Sequence, residues 1–161
     1  MLALKVAKRR AGALHPVLEK AEWTRVGIVG QSLGAMHAIA AAQRLRRQWD
    51  LNVSAVVLSG DVPKRTYQDL DIPVMITTGS LDKANHNRSI VEYFKSNLTS
   101  SQKVLANLRG AFHMEPQEGE RLNFFTAAFL RRHASREPEV CEAIYGTGPT
   151  SLCQANRYTD W

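Results

Sequence analysis

The stretch Arg25-Val26-Gly27-Ile28-Val29-Gly30-Gln31-Ser32-Leu33-Gly34 decides how the rest of the chain is read. Residues 25–29 form a short β-branched run, the signature of a strand. Residues 32–48 are rich in Ala, Leu and Gln and end in arginines, as a helix does. Between them, Gly30-x-Ser32-x-Gly34 leaves a serine on the turn that joins strand to helix. A turn this sharp is expected to leave no room for side chains two residues before and two after the serine, hence the two glycines. It lifts the hydroxyl above the sheet and aims the first N–H groups of the helix at any negative charge that develops there. A phosphate cradle is the competing reading of Gly27, Gly30 and Gly34. Their spacing is not Gly-x-Gly-x-x-Gly, however, and no Gly-Lys-Ser/Thr follows.

Three further runs read as strands: Val53-Ser54-Ala55-Val56-Val57-Leu58, Pro73-Val74-Met75-Ile76-Thr77-Thr78 and Lys103-Val104-Leu105-Ala106-Asn107-Leu108. The first two, like residues 25–29, are almost continuously apolar, as strands buried on both faces of a parallel sheet must be. Helical spacing recurs at Ile90, Val91, Phe94 and Leu98 in residues 88–98, and at Leu122, Phe125, Phe129 and Leu130 in residues 117–133. Alternating strands and helices predict an α/β domain, with about four mostly parallel strands and flanking helices. Residues 1–135 are expected to form this core and residues 136–161 an irregular tail. Leu2, Ala3 and Val6 place an amphipathic helix near the N-terminus, with no apolar core of the kind an export signal carries.

A serine nucleophile requires a base, and the base requires an acid to orient it. Where these groups stand on loops after successive strands, the chain order is serine, acid, histidine. Asp82 follows the third strand through Gly79-Ser80-Leu81, and His113 follows the fourth through Arg109-Gly110-Ala111-Phe112. Asp61, at the end of the second strand, is the alternative acid. Among the other histidines, His37 lies inside a helix and is read as packing, His15 belongs to the N-terminal segment, His86 to a polar loop and His133 to a helix end.

The composition fits an ordinary globular domain. Of 161 residues, 44% are hydrophobic and 22% charged, and no apolar run is long enough for a membrane span. The net charge of +6 admits nucleic acid as a partner. Its cations, though, fall in small groups at helix ends, Lys8-Arg9-Arg10, residues 44–47 and Arg131-Arg132, where they complement helix dipoles. No metal-ligand spacing is present, and the expected chemistry uses neither metal nor organic cofactor. The triplets beginning at Asn52, Asn87 and Asn97 are glycosylation acceptors only in a secreted chain.

These motifs together resemble the cutinase-like and polyester-hydrolase branch of the α/β-hydrolases, with chlorophyllases and related carboxylesterases as neighbours. The resemblance runs from Trp23 to the C-terminus. It rests on residues 23–34, on Ile72 to Asp82, on Gly110-Ala111-Phe112-His113 and on a closing helix from Phe124-Phe125 to Arg131-Arg132. It implies Ser32 as nucleophile, His113 as base, Asp82 as the partner of the base, and the Leu33 backbone N–H as one oxyanion donor. It implies a small or polymeric ester as substrate. The tail from Cys141 to Cys153 resembles the disulfide loop of that branch; a bridge there would point to an oxidising compartment. The branch's first strands, first helix and second oxyanion donor have no counterpart before residue 25. The chain therefore reads as the C-terminal portion of such a fold, with an exposed sheet edge that invites self-association.

Overall fold

The computed structural model describes residues 13, 16–21, 23–49, 51–64, 71–84, 87–100, 102–113, 120–149 and 151–152. Cys153, His15, His86, the expected N-terminal helix with Leu2, Ala3 and Val6, and the Lys8-Arg9-Arg10 group lie outside them. Four strands form one parallel sheet in chain order: β1 (Arg25–Gln31), β2 (Asn52–Ser59), β3 (Val74–Gly79) and β4 (Lys103–Leu108). Gln31 is level with Ser59, and Ser59 with Thr77, so three polar side chains form one row at the C-terminal ends of the strands.

The helices are α1 (Pro16–Glu19), α2 (Leu33–Trp49), α3 (Asn87–Glu92), α4 (Glu120–Leu130) and α5 (Cys141–Tyr145). On one face of the sheet, Ala35, Ala38, Ile39 and Ala42 of α2 pack against Val56, Leu58, Val74 and Ile76. The three alanines let the helix axis come close to the strands. The other face carries Ala55, Val57, Met75 and Ala106 under Phe125 and Phe129 of α4. Strands β2 and β3 are buried on both faces, as their apolar runs require. β1 and β4 are the edge strands among the described residues, and Val29 on β1 is 54% exposed.

Two helices end differently from the sequence expectation. Residues 88–98 do not run as one helix: α3 stops at Glu92 and a π-helical turn, Tyr93–Asn97, follows, closed by the Leu98 N–H donating to the Tyr93 carbonyl at 2.9 Å. A second π-helical turn, Arg131–Ser135, ends α4. It stops at Arg136, whose φ of 61° lies in the left-handed region and cannot continue a helix.

Residues 136–149, the described first part of the expected irregular tail, carry regular structure. A 3₁₀ turn, Pro138–Val140, leads into α5, and Ile144 and Leu152 are fully buried in the second core. Hydrogen bonds close this loop: Leu152 N–H to the Ala143 carbonyl at 2.8 Å and Ser151 N–H to the Gly148 carbonyl at 3.0 Å. Cys141 is a free thiol among the described residues, and Cys153, its expected partner in a bridge, lies outside them. Buried apolar side chains and main-chain bonds hold residues 141–152 together.

Candidate active site

Ser32 directly follows β1. Its N–H donates to the Ser59 carbonyl at 2.8 Å, while its own carbonyl accepts from the N–H groups of Ala35 and Met36 and so starts α2. One residue thus belongs to the sheet on its N–H side and to the helix on its carbonyl side. The chain can make that change of direction only by holding Ser32 at φ 46°, a conformation L-residues avoid. The glycines flanking it differ in their roles. A Cβ on Gly30 would lie 2.5 Å from the Gly34 carbonyl oxygen, so position 30 admits no side chain. A Cβ on Gly34 would meet nothing within 4 Å among the described residues, contrary to the expectation that both positions are closed. What is tight is the approach of the Gly34 backbone to residue 30.

Asp82 and His113 arrive from the ends of β3 and β4. His113 Nδ1 is 2.7 Å from Asp82 Oδ2, and His113 Nε2 is 2.9 Å from Ser32 Oγ. A carboxylate accepts and does not donate, so the Nδ1 proton points to Asp82 and leaves the Nε2 lone pair for the Ser32 hydroxyl. The Asp82 side chain is wholly buried. Its Oδ1 also accepts from the Ala84 N–H at 2.9 Å, so both oxygens are bonded and the desolvated charge is compensated.

Two glycines that sequence reasoning passed over set this geometry. A Cβ on Gly79 would come within 2.3 Å of the Ala111 carbonyl oxygen. Only a bare backbone there lets the loop carrying His113 lie against the loop carrying Asp82. The two loops are stitched together by Ser80 N–H to the Leu108 carbonyl, Leu81 N–H to the Ala111 carbonyl, both at 2.9 Å, and Gly110 N–H to Ser80 Oγ at 2.8 Å. Gly60, at φ 72°, lies against the imidazole, and a Cβ on it would sit 3.2 Å from His113 Cε1. Gly60 directly follows β2 and Gly79 ends β3, and a glycine at the end of an apolar strand is the signal that marks them.

The other candidates lie elsewhere. The Asp61 carboxylate accepts from the neighbouring Val62 N–H at 2.7 Å, and the imidazole Nδ1 faces Asp82 instead. His37 is exposed on α2 rather than packed. His133 Nε2 meets the Tyr145 hydroxyl at 2.9 Å and its ring lies 4.6 Å from that of Phe129; burial, followed by the nearby Arg132 charge, lowers its pKa to about 4. Leu33 opens α2, and the N–H of a first helical residue has no acceptor within its own helix. Among the described residues no His, Cys, Asp or Glu cluster is arranged to hold a metal ion, and no helix is long and apolar enough to cross a membrane.

Set against known proteins, the chain matches no family model and no curated protein significantly.

Proposed function

We propose that the chain is a serine hydrolase of α/β-hydrolase type that cleaves carboxylic esters. One observation carries the reading: a single imidazole bridges a buried carboxylate at 2.7 Å and the hydroxyl of a serine held at φ 46° at 2.9 Å. A merely structural histidine does not need a strained serine at its second nitrogen.

In the proposed reaction, Ser32 Oγ attacks the ester carbonyl carbon as its proton passes to His113 Nε2. The carbonyl oxygen becomes an oxyanion and accepts from the Leu33 N–H at the start of α2. Asp82 keeps the imidazole oriented and stabilises it while it is charged. The tetrahedral carbon re-forms its double bond and expels the alcohol, which takes the proton back from Nε2. Water, deprotonated by the same nitrogen, then attacks the acyl-serine and releases the acid, restoring the Ser32 hydroxyl. This scheme uses no metal and no organic cofactor. With only Leu33 assigned as an oxyanion donor, turnover is expected to be slow, since one such donor contributes roughly 10²–10³ in rate.

The rival reading, a hydrolase-like binding module that keeps the turn but does not turn over, is favoured by that single donor. Hydrolysis of p-nitrophenyl acetate separates the two. The proposal expects release of p-nitrophenol that is abolished in Ser32→Ala and reduced by about 10⁴ in Asp82→Asn. Equal rates in the wild type and Ser32→Ala would leave only the binding module.

A further inference from the structure

Strands β3 and β4 end level with one another, Gly79 beside Leu108, and each runs straight into a tight turn. The turn 79–82 is closed by the Asp82 N–H donating to the Gly79 carbonyl at 3.1 Å, and it delivers the acid. The turn 108–111 is closed by the Ala111 N–H donating to the Leu108 carbonyl at 3.2 Å, and it leads directly to the base. Main-chain bonds join the turns: the Ser80 N–H donates to the Leu108 carbonyl and the Leu81 N–H to the Ala111 carbonyl, both at 2.9 Å. A further bond between them uses a side chain, for the Gly110 N–H donates to Ser80 Oγ at 2.8 Å. Any residue but proline at positions 80 and 81 would keep the main-chain bonds. The side-chain bond depends on a hydroxyl.

Gly110 is the third residue of its turn and has a φ of 72°, which makes the turn type II. Type II differs from the commoner type I by a flip of the central peptide, here the one between Arg109 and Gly110. Glycine leaves both forms open, because it takes either sign of φ at little cost. The flip decides which way the Gly110 N–H points, and in the observed form it meets Ser80 Oγ. We infer that Ser80 is a positioning residue for the general base: its hydroxyl holds the turn 108–111 in one form and so keeps His113 in register with Asp82 and Ser32. It acts through the loop and not on the substrate. The imidazole it steadies must lie 2.7 Å from Asp82 Oδ2 and 2.9 Å from Ser32 Oγ at the same time. Tolerances in such a relay are small, since a misplacement of about 1 Å can cost roughly 10² in rate.

This inference rests on the ester-hydrolase reading above. Hydrolysis of p-nitrophenyl acetate tests it, at a temperature where circular dichroism shows each variant folded. Ser80→Ala is expected to lower kcat about tenfold while KM changes by less than about twofold, because the hydroxyl makes no contact with the substrate. Ser80→Thr keeps the oxygen and is expected to recover most of the loss. Gly110→Ala reaches the same turn from its other side. A Cβ there meets nothing within 4 Å among the described residues, yet alanine resists a φ of 72° and favours the type I form, so kcat should fall here as well. In the double variant the two losses should combine to less than their sum, since the same turn is released only once. Ser80→Ala with kcat within about twofold of the wild type, or a loss that threonine does not recover, overturns the inference and leaves the hydrolase reading standing. A wild type that neither hydrolyses the ester nor reacts at Ser32 with a fluorophosphonate overturns both.

Discussion

At Ser32 the backbone is held at φ 46°, which costs about 1–2 kcal/mol relative to an ordinary conformation. The hydrogen bonds it makes to the sheet and to α2 hold it there, and the result is a hydroxyl aimed at His113 Nε2. Gly60 does the matching service for the base, because the imidazole packs on a backbone with no Cβ in the way. Gly60→Ala places a methyl group 3.2 Å from His113 Cε1 at a residue whose φ is 72°, so both the strain and the crowding act together. It is expected to destabilise the protein by about 1–2 kcal/mol. It should also slow acylation at least tenfold with secondary structure unchanged, as stopped-flow acylation and circular dichroism would report. Full acylation in Gly60→Ala would show that the ring does not depend on that surface.

Between residues and the whole molecule stand the elements, and their ends do most of the positioning. Lys103, the first residue of β4, reaches back across the π-helical turn Tyr93–Asn97. Its Nζ donates to the carbonyls of Phe94 at 2.7 Å and Leu98 at 2.9 Å, and lies 4.9 Å above the Phe94 ring. It satisfies carbonyls that a helix end leaves unpaired and opposes the negative end of the dipole. Lys103→Met is expected to lower stability by about 1–2 kcal/mol, read as a shift of the urea midpoint. The turn Arg131–Ser135 carries His133, whose pKa of about 4 in the folded protein lies below the 6.5 it has when unfolded. The unfolded chain therefore takes up the proton first, so stability is full above pH 6.5 and declines as the pH falls from 6.5 towards 4. Thermal unfolding at pH 7 and pH 5 would register this, and His133→Gln is expected to remove that part of the pH dependence.

The elements were the most legible part of the sequence. Four β-branched runs became four strands almost residue for residue, because an apolar run bounded by turn residues has few other ways to be buried. Ser32, Asp82 and His113 were readable because each follows its own strand. What pattern did not reveal was contact between loops. Gly60 and Gly79 matter through chain segments about fifty and thirty residues away in sequence, and no local periodicity records that. The tail misled for a related reason: Ile144 and Leu152 are isolated apolar residues without a period, and only the second core explains their burial.

At the scale of the molecule, one sheet separates two cores, and the site sits at the C-terminal ends of its strands. Phe129 is fully buried in the second core, so Phe129→Ala is expected to lower stability by about 3–5 kcal/mol. The variant should therefore lose ester turnover at temperatures where the wild type is still folded; a melt followed alongside activity checks this. The most direct measurement of the central claim is the reaction of the folded protein with a fluorophosphonate, followed by mass spectrometry of the peptide that contains residues 26–44. The account predicts one adduct per chain, on Ser32, absent from Ser32→Ala and formed far more slowly in His113→Ala. A folded protein that remains unmodified at Ser32, or one modified equally fast without His113, would contradict it.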